Sequence, residues 1–119
     1  MFDLDAKIIL VTGGYGHLGT TMCEGLSNSG AIVYALGRSQ DKFDARFGRL
    51  NTHVQFRQFD IDDPETIKRV FSRIFDRHNK IDVLINNAAY IRGNEPLSIS
   101  DSDWDISLGG VLSGVYRCI

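Results

Sequence analysis

The chain has 119 residues, enough for one domain with a buried core. Its 43% hydrophobic and 24% charged residues are those of an ordinary globular protein, and no apolar run approaches the ~20 residues that a membrane-spanning helix needs. A formal net charge of −2 gives no electrostatic ground for expecting a nucleic-acid or acidic-membrane partner.

The first predicted strand is Lys7 to Thr12, a near-continuous apolar run of the kind found in parallel strands covered on both faces. Thr12-Gly13-Gly14-Tyr15-Gly16-His17-Leu18-Gly19 follows directly. A helix is expected from about Leu18 to Ser29, with Gly30 as its stop. The second strand is Ala31 to Leu36, and a short helix is expected around Asp41 to Leu50. Val54 to Phe59 forms the third strand. The clearest helix opens at Asp62-Asp63-Pro64-Glu65, where an aspartate cap precedes a first-turn proline. Ile67, Val70, Phe71, Ile74 and Phe75 give it one apolar face. The fourth strand is Ile81 to Asn86. Beyond a polar loop containing Gly93 and Pro96, a last helix starts near Ser100 to Asp103 and carries Trp104, Ile106, Leu108, Val111, Leu112, Val115 and Tyr116. Gly109-Gly110 inside it marks either close helix packing, within or across chains, or a local weakness.

Strands alternating with helices imply a parallel sheet with right-handed crossovers. The expected class is α/β, with helices on both faces of the sheet. One domain, residues 1–119, is expected. Cys23 and Cys118 lie far apart without metal-ligand spacing and read as reduced thiols of a cytoplasmic protein. The acidic start Met1-Phe2-Asp3-Leu4-Asp5 lacks the basic opening and apolar core of a signal peptide. His53 and His78 read as surface histidines, and with His17 they form no metal-type spacing.

The glycine turn carries the chemistry. Gly13 permits a tight exit from the strand, Gly16 lets backbone approach a pyrophosphate, and Gly19 lets the helix pack closely. The N–H groups around His17 and Leu18 then point at the anion, aided by the helix dipole. Alone, the turn also fits a left-handed connection with no ligand. His17 suits a phosphate donor and a solvent-facing loop residue about equally.

Four matches in order resemble the short-chain dehydrogenase/reductase family. They are Thr12-Gly13-x-x-Gly16-x-x-Gly19, Asp60-Ile61, Asp82-x-Leu84-Ile85-Asn86-Asn87-Ala88-Ala89, and Trp104-Asp105 ahead of Gly114-Val115-Tyr116. The resemblance implies a Rossmann-type parallel sheet of order 3-2-1-4 with helices on both faces, truncated after the fourth βα unit relative to the family, and an NAD(P)-dependent oxidoreductase whose dinucleotide lies along Gly13, Tyr15, Gly16, His17, Leu18 and Gly19. It further implies Asp60 and Ile61 at the adenine, and Asn87, Ala88 and Ala89 along the ribose, with Asn86 bracing neighbouring strands. Cofactor choice follows the second strand, where Gly37 stands in the usual acidic position and Arg38-Ser39 come next. A guanidinium fork matches a 2′-phosphate, which favours NADP(H), with NAD as the alternative.

The family's catalytic set is not found in the chain. No Tyr-x-x-x-Lys occurs, and the alignment that ends at Tyr116 places Val111 where the family has an asparagine. No catalytic residue is therefore assigned. The leading expectation is the dinucleotide-binding portion of a short-chain oxidoreductase, inactive alone. The alternative is a non-catalytic dinucleotide-binding module, or one that associates with its own kind through the last helix or the edge of the fourth strand. A folded remnant that binds nothing is the third.

Overall fold

Ile8–Thr12 forms β1, and every residue in it is buried. A computed structural model describes residues 3–50, 52–92 and 97–119. Met1-Phe2, Asn51 and the loop residues Gly93 to Pro96 lie outside the described residues. β1 pairs in parallel with β2 (Ile32–Gly37) on one side and β4 (Val83–Ile85) on the other. β3 (Gln55–Gln58) pairs with β2, so the sheet order is β3-β2-β1-β4, the order that the family resemblance implies. β3 and β4 are shorter than the runs expected from sequence, since each pairs with a single neighbour.

The strand period of two sends alternate residues to opposite faces. Ile8, Leu10, Tyr34 and Leu36 pack with Ile67, Val70 and Ile74 of α3 (Pro64–His78) on one face. Ile9, Val11, Val33 and Ala35 pack on the other with Cys23 of α1 (His17–Asn28) and Phe43 and Phe47 of α2 (Gln40–Phe47). α3 has the cap expected of it. The Asp63 carboxylate accepts the N–H groups of Glu65 and Thr66, Pro64 opens the first turn, and Asn79 ends the helix with φ 55°. Phe71 packs at the core margin, whereas Phe75 is exposed.

Two features depart from the sequence expectation. His78 is not a plain surface histidine: its Nε2 lies 2.7 Å from the hydroxyl of fully buried Tyr34, and the Arg57 guanidinium sits over that tyrosine ring. The last helix is interrupted. It runs as α4 (Asp101–Leu108), a π-helical turn (Gly109–Ser113) and α5 (Gly114–Cys118). Its inward residues are small: Ser107, Gly110, Gly114 and Cys118 are buried, while Trp104, Leu108, Val111, Leu112 and Tyr116 are exposed. A side chain on Gly110 would run into the Tyr90 ring, and one on Gly114 into Ile61. Of the two readings of Gly109-Gly110, close packing within the chain is therefore the one realised.

Candidate functional site

The C-terminal ends of all four strands open into one crevice of about 450 Å³. In this strand order the chain reverses direction across the sheet between β1 and β4, which is where open α/β sheets receive ligands.

The turn after β1 is built from glycines with separate tasks. Gly13 has φ 65°, and a Cβ there would stand 3.0 Å from the Cα of Ala88. Gly14, which the motif reading passes over, lies against β2: a Cβ would stand 2.6 Å from that of Ala35. Gly19 faces the turn itself, and any side chain there would strike the Gly13 carbonyl. That closeness keeps the start of α1 tight against the crevice. Gly16 is the N-cap of α1, no side chain caps this end, and the first turn holds no acidic residue. Its leading N–H groups are thus open to water or to an anion.

β4 is tied to this turn by hydrogen bonds across 75 residues of sequence. The buried Thr12 hydroxyl accepts the N–H groups of Asn87 (3.1 Å) and Ala88 (3.0 Å). The Asn87 amide donates back to the carbonyls of Thr12 (3.2 Å) and Gly13 (3.1 Å). The bracing that the resemblance assigns to Asn86 is thus performed by Asn87, while Asn86 is exposed. At the opposite end of the strands, Asp82 accepts the Ile8 N–H at 2.7 Å and pairs with Lys80 at 3.0 Å. The hydrogen bond from Ile8, then the one from Lys80, holds the Asp82 carboxyl below its ordinary range.

At the end of β2 the Tyr15 ring covers Gly37 so closely that any side chain at 37 would collide with it. The Tyr15 hydroxyl accepts the Ser39 N–H at 3.0 Å. The Ser39 hydroxyl turns away to cap α2 by accepting the Lys42 N–H. Arg38 is exposed and lines the crevice, without an ion pair among the described residues.

Of the sequence-derived positions, Gly13, Tyr15, Gly16, His17, Leu18, Arg38, Asp60, Ile61, Asn87, Ala88 and Ala89 all line this crevice. Gly19 and Ser39 do not, because one packs inward and the other caps a helix. Two wall residues were not anticipated as a pair. The Tyr90 hydroxyl donates to the Asp62 carboxylate at 2.7 Å, joining the loop after β4 to the loop after β3. That hydrogen bond, with burial behind it, raises the Tyr90 pKa. A motif reading has no signal for a bond between residues 28 apart in different loops. Burial pushes Cys23 up to about 12 and raises Cys118, so neither is poised as a nucleophile. Among the described residues, no group of His, Cys, Asp or Glu is placed to hold a metal ion. No helix there is long and apolar enough to cross a membrane.

A parallel sheet of this order, with an uncapped glycine turn at the end of its central strand, defines a dinucleotide-binding α/β domain. Residues 7–119 match the short chain dehydrogenase family, and the chain belongs to it. It is 34% identical over 99 residues to a short-chain dehydrogenase/reductase of Armillaria gallica, covering 78% of this chain and 31% of that protein. It is 29% identical over 115 residues to the 3-oxoacyl-(acyl-carrier-protein) reductase FabG of Escherichia coli, covering 97% of this chain and 47% of that one. Among solved structures, an actinorhodin polyketide ketoreductase variant with NADPH superposes with a TM-score of 0.85 at 24% identity. That superposition covers 99% of this chain and 46% of the ketoreductase. The chain thus spans less than half the length of these proteins.

Proposed function

We propose that residues 1–119 are the dinucleotide-binding portion of an NADP(H)-dependent oxidoreductase that moves hydride between the nicotinamide and a carbonyl or alcohol. The observation that carries this reading is the uncapped N-terminus of α1, facing a crevice walled by Asp60, Ile61 and Asn87 to Ala89. The preference for NADP(H) is supported by the end of β2. Tyr15 fills the space that an acidic side chain at 37 would need, so the ribose 2′-hydroxyl has no carboxylate partner there. Arg38 stands beside it, without an ion pair among the described residues, and its guanidinium fork suits a phosphate.

The chain alone is not expected to turn over. Reduction of a carbonyl needs an acid at its oxygen, and the tyrosine at the β4 end of the crevice is Tyr90. Its proton is held by Asp62 and its pKa is raised, the opposite of what an acid at neutral pH requires. Two buried free thiols suit a reducing, cytoplasmic setting. Titration with NADPH and NADH, followed by thermal unfolding, tests the reading. NADPH at about 100 times its Kd should stabilise by about 2.7 kcal/mol. An unchanged Tm with both nucleotides would refute binding, and steady NADPH oxidation by this chain across carbonyl compounds would refute its inactivity.

A second reading is favoured by the exposed Trp104, Leu112 and Tyr116 and by the open edge of β4. Here the chain is a non-catalytic module that associates with a second copy through the last helix or that edge. Sedimentation distinguishes the readings. A discrete dimer, weakened by Leu112→Glu, supports the module, whereas a monomer refutes it.

A further inference from the structure

Behind the Tyr90–Asp62 hydrogen bond lies a second cavity of about 540 Å³, distinct from the dinucleotide crevice but sharing its wall at Arg38, Asp62 and Tyr90. It is also lined by Arg92 in the loop after β4 and Arg117 in α5, with Gly109 of the π-helical turn adding no side chain. Three arginines therefore line one concavity in a chain whose net charge is −2. Among the described residues, the only carboxylate on its walls is Asp62, and one of its oxygens already accepts the Tyr90 hydroxyl. The ion pairs among the described residues are Lys7 and Lys80 with Asp82, at the other end of the sheet, so none of the three arginines has an ionic partner there.

Like charges gathered around a concave surface focus a positive potential. Arginine's planar fork matches phosphate oxygens in pairs. The cavity is of the size that takes small ligands, and one phosphate would leave most of it empty. We propose that this cavity is a second anion site, binding a small polyanion with more than one phosphate group through Arg38, Arg92 and Arg117. Because Arg38 borders both spaces, the occupant competes with a 2′-phosphate in the crevice. That consequence, unlike the site itself, rests on the NADP(H) reading. All three side chains reach solvent, so the association is salt-sensitive.

Inorganic pyrophosphate is the probe, added to the full 119-residue chain while arginine Nε–H and backbone amide resonances are followed by NMR. The Arg92 and Arg117 signals should shift saturably with one Kd, weakened about tenfold or more by the Arg92→Gln/Arg117→Gln pair and by added salt. In a second arm, pyrophosphate should weaken NADPH more than NADH, and the paired variant should remove that difference. Arg92 and Arg117 signals that stay still, or drift without saturating, would overturn the site, even if the Gly16 to Leu18 amides respond. Failure of the dinucleotide reading looks different: NADPH would leave those amides unmoved while pyrophosphate still saturates the arginines.

Discussion

Replacing Thr12 by valine preserves shape and removes one oxygen, which isolates the contribution of the hydrogen bonds that fasten β4 to β1. The Thr12 side chain is fully buried, and its oxygen is the acceptor for both the Asn87 and the Ala88 N–H, while its proton reaches the Ile85 carbonyl at 3.4 Å. Valine leaves both amides without that acceptor. An unsatisfied buried donor costs about 1–3 kcal/mol, and Asn87 and Ala88 are partly exposed, so water repairs some of the loss. The expected destabilisation is about 2–4 kcal/mol, a large share of the ~5–15 kcal/mol that holds a domain of this kind together. At a urea slope of about 1.5 kcal/mol per M, the unfolding midpoint should fall by about 1–3 M. Thr12→Ser keeps the oxygen and loses a methyl, for about 1 kcal/mol. Dinucleotide affinity should follow the same order, because the loop that Thr12 fastens lines the crevice. A Thr12→Val protein as stable as Thr12→Ser would refute the reasoning. It would mean that the Asn87 amide, through its bonds to the Thr12 and Gly13 carbonyls, secures the loop alone.

Removing the Arg38 guanidinium (Arg38→Ala) should weaken NADPH by about 10- to 100-fold through loss of a charge-assisted contact, with NADH nearly unchanged, as read by fluorescence titration. Gly37→Asp should destabilise the fold while Tyr15 is present, because the new side chain meets its ring. Combined with Tyr15→Ala, it should be tolerated and move the preference toward NADH, measured as the ratio of the two dissociation constants. Stability should also fall with acidity in two stages. Burial first, then the nearby Arg77, Lys80 and Arg57 charges, lowers the His78 pKa below the ordinary 6.5, so the folded chain binds that proton less readily than the unfolded chain. Its contribution is complete above pH 6.5 and is lost as pH falls through that value toward the folded pKa. Asp63 and Asp82 are lowered by their hydrogen bonds, to Thr66 and Ile8 first, and their contributions disappear at lower pH, through and below the ordinary carboxylate range. Urea unfolding across pH 3 to 7.5 measures both stages, and His78→Gln should flatten only the upper one.

Features written in local patterns were legible from the sequence. Buried parallel strands read as apolar runs, α3 announced itself through Asp63, Pro64 and its apolar face, and the glycine spacing marked the crevice. What stayed hidden depends on chain segments meeting at a distance. Tyr34 with His78, Thr12 with Asn87, and Tyr90 with Asp62 are 44, 75 and 28 residues apart, and nothing local to one partner of a pair points to the other. Gly14 was passed over because its task, close approach to Ala35, belongs to the neighbouring strand. The last helix misled for a different reason. Periodicity assumes that large apolar residues face inward, and here the inward face is glycine, serine and cysteine.

That inversion links the helix to the site. A helix presenting large side chains inward would stand off from the sheet by the thickness of those side chains. With Gly110 and Gly114 facing in, the backbone lies directly on Tyr90 and Ile61, both of which wall the crevice. Gly110 and Gly114, four positions apart, share one face, and the helix continues past the π-helical turn at Gly109–Ser113 into α5. Tyr90 is thereby fixed on one side by Gly110 and on the other by Asp62, so its ring can move only if the helix or the loop after β3 moves as well. The small residues of the last helix thus serve the crevice, and its large apolar residues are left for whatever covers the outer face.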